Sequence, residues 1–322
     1  MLNEKLLVGS HAPYWHSGIS IREKSTHTLL AALPAVLMGI YQFGVPALRV
    51  MALSISCAIL WEVILNRVMK RPVTVGDGDA AVIGLLFGML LPAATPWWVV
   101  VLGTAVALVV GKWIYGGLGC NPMNPALVAI ATLIISYKGV MDLDQAYLNY
   151  DFSFPAVDPL KAVKAFGTDA AARYSLTGFL MGQQVGGVGT IFGLGLMIGG
   201  LYLMLRGFIR WEISLSYIVG VLVTAYVFNL SHPEKYAGPW FHLLAGYTLI
   251  GAFFLITEDS SSPVNFVPML LYGAGAGAMT ILIRNVGGFT DGVVFAILLF
   301  NVANPLLDKI RPRALGRSKE HA

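Results

Sequence analysis

GGLGCNPMNPALVAI, Gly116 to Ile130, sets two Asn-Pro pairs three residues apart inside a chain that is otherwise mostly apolar. Proline removes a backbone donor and breaks helical pairing, and the glycines at 116, 117 and 119 loosen the backbone just ahead of it. At membrane depth such an interruption is tolerated only where the backbone is buried in protein or lines a cavity. The stretch therefore reads in two ways. It is a broken-helix pocket whose amides read a polar ring, or a re-entrant hairpin whose amides satisfy freed backbone groups. An Asn amide carries both donors and an acceptor, so Asn121 and Asn124 suit either.

The membrane itself is read from composition. Of 322 residues 57% are hydrophobic and only 12% charged, with a mean hydropathy of +0.72, where a soluble domain carries roughly one-quarter charged residues. Apolar runs long enough for about 30 Å of hydrocarbon recur along the chain. Ten spans are expected, at 26–43, 47–66, 80–95, 97–115, 125–138, 187–206, 212–230, 241–257, 267–284 and 292–309. The expected class is an all-α integral membrane protein. Residues 1–25 read as a cytoplasmic segment, 26–138 as a first transmembrane repeat, 139–186 as an external loop, 187–309 as a second repeat and 310–322 as a basic tail. No cleavage pattern follows the first run, so it reads as a retained helix. With both termini in the cytoplasm of a bacterial or archaeal cell, most of the 21 basic residues fall inside, among them Lys5, Arg67, Lys70, Arg71, Lys112, Arg206 and the C-terminal cluster. The net charge of +4 thus reflects topology and gives no argument for nucleic acid.

Two cysteines exclude other chemistry. Cys57 lies within the second span and Cys120 beside the Asn-Pro stretch, so neither a disulfide nor a metal pair is expected. Four thiolates are the usual need of an iron–sulfur cluster, and this chain alone lacks them.

The opening stretch returns as NVANP, Asn301 to Pro305. Sliding the sequence by about 180 residues superimposes Asn121 on Asn301, Asn124 on Asn304, Pro125 on Pro305, Leu127 on Leu307 and Asp79 on Asp259. With five spans in each half, the copies would cross the bilayer in opposite senses, the inverted-repeat architecture with broken helices. The plainer account is chance, added to the general liking of Asn and Pro for helix ends. Between the halves, the long connection 139–186 holds Tyr147, Tyr150, Phe152, Phe154, Phe166, Tyr174, Phe179 and Leu180, which argue for order against a neighbouring surface.

Four stretches carry a family resemblance: DGDAAVIGLLFGMLLPAATPWWVVVLG (Asp77 to Gly103), GKWIYGGLGCNPMNPA (Gly111 to Ala126), GAFFLITEDSSSPV (Gly251 to Val264) and GGFTDGVVFAILLFNVANPLLD (Gly287 to Asp308). Together they resemble the RnfD/NqrB family of membrane subunits, whose members serve the Rnf complex, the ferredoxin:NAD ion-translocating oxidoreductase, and the sodium-translocating NADH:quinone reductase. The resemblance covers nearly the whole chain. It implies a urea-transporter-like fold and a place in a redox-driven cation pump. Its implied partners are an FMN-bearing periplasmic subunit, iron–sulfur membrane subunits and the NADH- and ferredoxin-side subunits.

The resemblance also implies two flavins. FMN is expected as a phosphoester on a threonine of a Ser-Gly-Ala-Thr motif in the outer loop. This chain has Ser175-Leu176-Thr177-Gly178 there, downstream of Asp169, which makes Thr177 the expected acceptor and Ser175 its neighbour. The departure leaves covalent and non-covalent FMN both open, and Ser175 reads equally well as a helix N-cap. A non-covalent riboflavin is expected at Asn121 and Asn124, beside Gly117 and Gly119.

Ionisable groups near the spans, Asp77, Asp79, Glu258, Asp259, Glu62 and Asp291, are candidates for an ion path because charge in hydrocarbon is costly. Capping of helix starts explains the pairs Asp77/Asp79 and Glu258/Asp259 as well. No Gly-rich dinucleotide fingerprint is present, so a nucleotide site belongs to another subunit. Two other functions fit the same pattern: an inverted-repeat channel or transporter for a small polar solute, and a cofactor-free architectural subunit.

Overall fold

The computed structural model describes residues 19–310, and Lys5 and nearly all of the expected basic tail lie outside the described residues. Among the described residues the chain is helical and contains no strand. Helix α1 (Ile21–Phe43) starts on Ser20, whose hydroxyl accepts the Glu23 N–H at 3.1 Å, five residues before the expected span. It ends at Gly44, whose φ of +71° lets the chain reverse directly into α2 (Val45–Val68), with Pro46 in the first turn of that helix.

The remaining elements are α3 (Asp79–Leu90), α4 (Trp97–Ala105) continued by a π-helical turn at Val106–Val110, and α5 (Pro125–Ser136). The long connection holds α6 (Leu143–Ala146), α7 (Pro159–Phe166), α8 (Thr168–Ala171) and α9 (Leu176–Met181). Then come α10 (Gly193–Leu205), α11 (Trp211–Ser231), α12 (Pro239–Leu244), α13 (Thr248–Ile250) with a second π turn at Gly251–Leu255, α14 (Phe266–Asn285) and α15 (Val293–Leu307).

Length sorts these helices. Five apolar helices, 21–43, 45–68, 97–115, 211–231 and 266–285, are long enough to cross a membrane at 1.5 Å per residue. They turn apolar side chains outward, such as Leu30, Leu33 and Leu37 on α1 and Val219, Val223 and Val227 on α11. Four others, 79–90, 125–136, 193–205 and 293–307, are apolar but short. The short α3 is packed inside: every residue from Ile83 to Leu90 is buried. The expected span at 187–206 is helical only from Gly193, and the span at 241–257 is interrupted at Ala245–Tyr247.

Broken helices leave backbone groups that lipid cannot satisfy, and here protein groups meet them. At the end of α3, the Leu91 carbonyl accepts Val188 N–H at 2.9 Å and the Met89 carbonyl accepts Gly189 N–H at 2.9 Å. Ala93 N–H donates to the Tyr147 hydroxyl at 3.0 Å, which itself donates to the Gly186 carbonyl at 2.8 Å. The Tyr247 hydroxyl donates to the Leu90 carbonyl at 3.0 Å. Tyr147 is 1% exposed and stacks on Phe43 at 4.7 Å, so the long connection is ordered against the helices, in line with its aromatic content. Phe166 is the exception, being largely exposed.

The two Asn-Pro stretches adopt different local structures. Asn124 caps the start of α5 with Pro125 at its first position, whereas Asn304-Pro305 lies in the last turns of α15. They nevertheless meet in space, the Asn124 N–H donating to the Asn301 side-chain carbonyl at 3.3 Å.

Candidate functional site

Three polar groupings stand out in this apolar chain, two near the face that carries the start of α1 and one beside the long connection. The first is built on Glu62 of α2. Its Oε1 accepts Lys112 Nζ at 3.0 Å and the Thr74 hydroxyl at 2.7 Å, and its Oε2 accepts the Trp113 indole N–H at 2.9 Å. Lys112 also reaches Asp79 Oδ2 at 2.9 Å, so one ammonium joins carboxylates from α2 and α3. Glu62 and Lys112 are each 1% exposed. The sequence places Lys112 among ordinary cytoplasmic loop cations, and the structure corrects this. The π turn at Val106–Val110 precedes it, and the chain then folds it inward.

The second grouping is the Asn-Pro cleft. Asn124 Oδ1 accepts Ala126 N–H and Leu127 N–H at 3.0 and 3.3 Å, and its Nδ2 donates to the Leu255 carbonyl at 3.0 Å, beside the second π turn. Asn121 Nδ2 donates to the Met123 carbonyl at 3.2 Å and to Glu258 Oε1 at 2.9 Å. Glu258 Oε2 in turn accepts the N–H and hydroxyl of Ser261. The Ser261 carbonyl receives both Asn301 Nδ2 and Asn304 Nδ2, at 3.2 and 3.1 Å. These amides satisfy freed backbone groups, which is the hairpin role. What they leave over is acceptor capacity: Asn304 Oδ1 is buried without a partner, and a buried carbonyl of that kind calls for a donor.

Of the remaining expected ion-path groups, Asp259 pairs with Lys24, Asp77 Oδ1 accepts Asp79 N–H at 3.0 Å, and Asp79 is held by Lys112. Gly117 and Gly119 have φ of +100° and +79°, which only glycine adopts without strain, and they shape the loop without lining a described cavity. Among the described residues no group of three or more metal-ligating side chains occurs.

The third grouping lies where the long connection meets the turns after α5 and α14. It surrounds a cavity of about 590 Å³. Lys161 joins Asp142 at 3.0 Å and Asp144 at 2.7 Å. Asp291 accepts Tyr247 N–H at 2.8 Å and is paired with Arg284 at 2.9 Å. Asp158 caps α7 through Leu160 N–H at 3.0 Å, ahead of Pro159. Burial pushes its carboxyl up to about 7, helped by the negative charges of Asp291 and Asp144, against the pull of Leu160 N–H and of Arg284. Sequence reading passes over Asp158, although Asp before Pro at a helix start is a strong N-cap signal.

That raised value gives a pH dependence of definite sign. A carboxyl whose folded pKa lies above its unfolded value of about 3.9 binds its proton more tightly when folded. Its stabilising share is present below about pH 4 and is lost as pH rises through about 7. Asp158→Asn keeps the cap and removes the titration. The thermal midpoint of the purified protein should fall less between about pH 4 and 7 in Asp158→Asn than in the parent, and parallel profiles would refute the assignment.

Thr177 stands apart from this cavity. Ser175 caps α9 by accepting Gly178 N–H at 3.1 Å, and the exposed Thr177 hydroxyl lies 2.6 Å from the Ser175 hydroxyl.

Likeness to known proteins runs along nearly the whole chain. A sequence model described as the NQR2, RnfD, RnfE family matches residues 8–316. The D subunit of the Na(+)-translocating ferredoxin:NAD(+) oxidoreductase complex of Acetobacterium woodii is 34% identical over 320 residues, 99% of this chain and 98% of that protein. The D subunit of the ion-translocating oxidoreductase complex of Cronobacter sakazakii is 34% identical over 343 residues, covering 95% of this chain and 97% of its own. Its counterpart in Halorhodospira halophila is 32% identical over 338 residues, with 95% of both chains covered.

Proposed function

The chain belongs to the NQR2, RnfD, RnfE family, and from that premise we propose that it is the D-type membrane subunit of an ion-translocating oxidoreductase complex. The observation that carries this reading is similarity over essentially the full length of both chains to subunits of that kind. Partner subunits would hold the iron–sulfur clusters and the nucleotide site, because two free cysteines and the missing Gly-rich fingerprint leave this chain without either. A tagged copy of the chain should co-purify with iron–sulfur and nucleotide-binding subunits from membranes. Recovery of the chain alone from mild detergent would count against membership of a complex.

The finer reading has the chain as a multi-pass protein of the cytoplasmic membrane, with both termini inside and residues 139–186 outside. Two inverted halves would bracket the Asn-Pro cleft, and electron passage would be coupled to movement of Na+ or H+. Redox change would bias two arrangements of the halves, as any ligand or charge change biases a two-state equilibrium.

Two flavin positions belong to this proposal. Thr177 fits an ester-linked FMN in one respect: its hydroxyl is exposed in the first turn of a capped helix, accessible to a transferring enzyme. A riboflavin ring at the Asn-Pro cluster would meet one buried acceptor without a partner, Asn304 Oδ1, which would take a ring N–H. Bound there, flavins would supply one- and two-electron redox capacity, and the chain's own residues would hold and orient them. Ser175 keeps the threonine at the helix start, and the aromatic staple around Tyr147 fixes the long connection against the membrane helices.

Thr177→Ala is expected to abolish flavin fluorescence of the chain on a denaturing gel. Ser175→Ala should retain the fluorescence and lose about 0.5–2 kcal/mol of helix-cap stability. A fluorescent Thr177→Ala band would move the attachment to another residue, and a dark parent band would leave FMN non-covalent or absent.

A further inference from the structure

Beside the larger cavity, with Leu160 and Thr290 in both walls, lies a smaller one of about 230 Å³. Its polar lining comes from four elements: Lys164 of α7, Lys235 in the connection after α11, His242 of α12, and Arg284 with Asn285 at the end of α14. Among the described residues no carboxylate lines it. His242 is 3% exposed and neither of its ring nitrogens has a partner, and the side-chain nitrogen of Asn285 is likewise buried and unpaired. Buried polar groups are paired in the great majority of cases, so three unpaired nitrogens around one cavity call for a water, an ion or a ligand to complete them.

The surrounding charges give that ligand its sign. Arg284 is balanced by Asp291 at 2.9 Å and ties down the carbonyls of His242 and Ala245. Lys164 gives two of its protons to the carbonyls of Gly287 and Phe289, at 2.6 and 2.8 Å, which leaves one to offer. Lys235 is exposed at the rim, its ammonium 5.1 Å from the Tyr236 ring centre. Two uncompensated cations, an amide and an imidazole N–H line one small cavity from four separate elements, and donors arriving from several directions suit a tetrahedral anion better than a planar carboxylate, whose acceptor sites lie in one plane.

We propose that this cavity binds the phosphate group of an inorganic phosphate or phosphomonoester ligand, whose non-bridging oxygens match converging, charge-assisted donors. The site is independent of the flavin reading, since Thr177 lines neither cavity. The phosphate could come free from solution or from the headgroup of an anionic lipid, and the two sources are separable.

Equilibrium dialysis of the detergent-purified full chain against radiolabelled inorganic phosphate tests the free ion. Mixed vesicles of phosphatidylcholine and phosphatidic acid, whose headgroup is a phosphomonoester, test the lipid source, read as enrichment of the anionic lipid around the protein. Lys235→Gln, at an exposed position that leaves the fold intact, should weaken whichever binding occurs by about tenfold, and Lys164→Gln by a similar factor. Lys138→Gln, in the wall of the larger cavity only, should leave it unchanged. Saturable, Lys235-dependent phosphate binding supports the free ion. Lys235-dependent lipid enrichment that inorganic phosphate does not displace supports the headgroup. Absence of both, or binding equal in parent and Lys235→Gln, overturns the proposal.

Discussion

Replacing Lys112 by methionine is expected to destabilise the chain by about 3–5 kcal/mol, the loss that follows when one partner of a buried ion pair is removed. Glu62 would then lose its ammonium partner in a site with 1% exposure and be left with Trp113 and Thr74. Asp79 would lose the same ammonium, but its side chain is 26% exposed, so water replaces part of what it loses. Glu62→Gln combined with Lys112→Met removes the uncompensated charge and keeps the volume. The double variant should regain most of the stability, because neutral groups of similar shape cost little where a lone ion costs much. Thermal midpoints of parent, single and double variants in one detergent measure the difference. If the double variant is no more stable than Lys112→Met, an uncompensated Glu62 is not the source of the loss.

That cluster marks a limit of reading by hydropathy. The long spans are plain in the sequence because a stretch as long and apolar as Val45–Val68, with few charges besides Arg49 and Glu62 before its end, reads as a crossing helix. Lys112 is not, since it follows an apolar run just where a loop cation is expected, and its partner Glu62 lies 50 positions away. The break after α3 falls inside the expected span 80–95, which the helix leaves at Leu90 although Pro92 and Pro96 mark the place, whereas the one at Ala245–Tyr247 carries only Gly246, with a φ of +66°. The π turns at Val106–Val110 and Gly251–Leu255 consist of ordinary apolar residues and leave no signature at all. The Asn-Pro stretches are visible as a pair, and their meeting across the chain is not. A one-dimensional match says nothing of whether a motif opens a helix, as Asn124 does, or closes one, as Asn304 does. Asp158 and the basic cavity escape sequence reading for a related reason. Each depends on side chains from separate helices and connections, and only the folded chain gives them a common wall.

Gly277→Ala is expected to cost about 1–3 kcal/mol or more, although it adds a single methyl group. In lipid no hydrophobic force drives one apolar helix against another, so association depends on close backbone approach at small residues. Helices α11 and α14 meet in that way. A Cβ on Gly277 would lie 2.3 Å from the Tyr217 carbonyl oxygen, one on Gly220 would lie 2.3 Å from that of Ala274, and one on Gly273 would lie 2.6 Å from that of Ile213. These obstacles are backbone atoms, which cannot rotate aside, so the helices must separate. Separation would stretch the Tyr217–Thr280 hydroxyl contact of 3.1 Å across the same interface. It would also move Arg284, seven residues further along α14, whose guanidinium fixes the carbonyls of His242 and Ala245 at the break beside α12. Damage to a lipid-embedded crossing should therefore reach the cavities beside the long connection. Gly238→Ala is the matched control: nothing lies within 4 Å of its added carbon, its φ is −65°, and its effect should stay within about 0.5 kcal/mol. Thermal midpoints of the two variants, with proteolysis of the connection after α11 as a local readout, decide the matter. A Gly277→Ala protein as stable and as resistant as Gly238→Ala would mean that α11 and α14 do not hold each other by backbone contact.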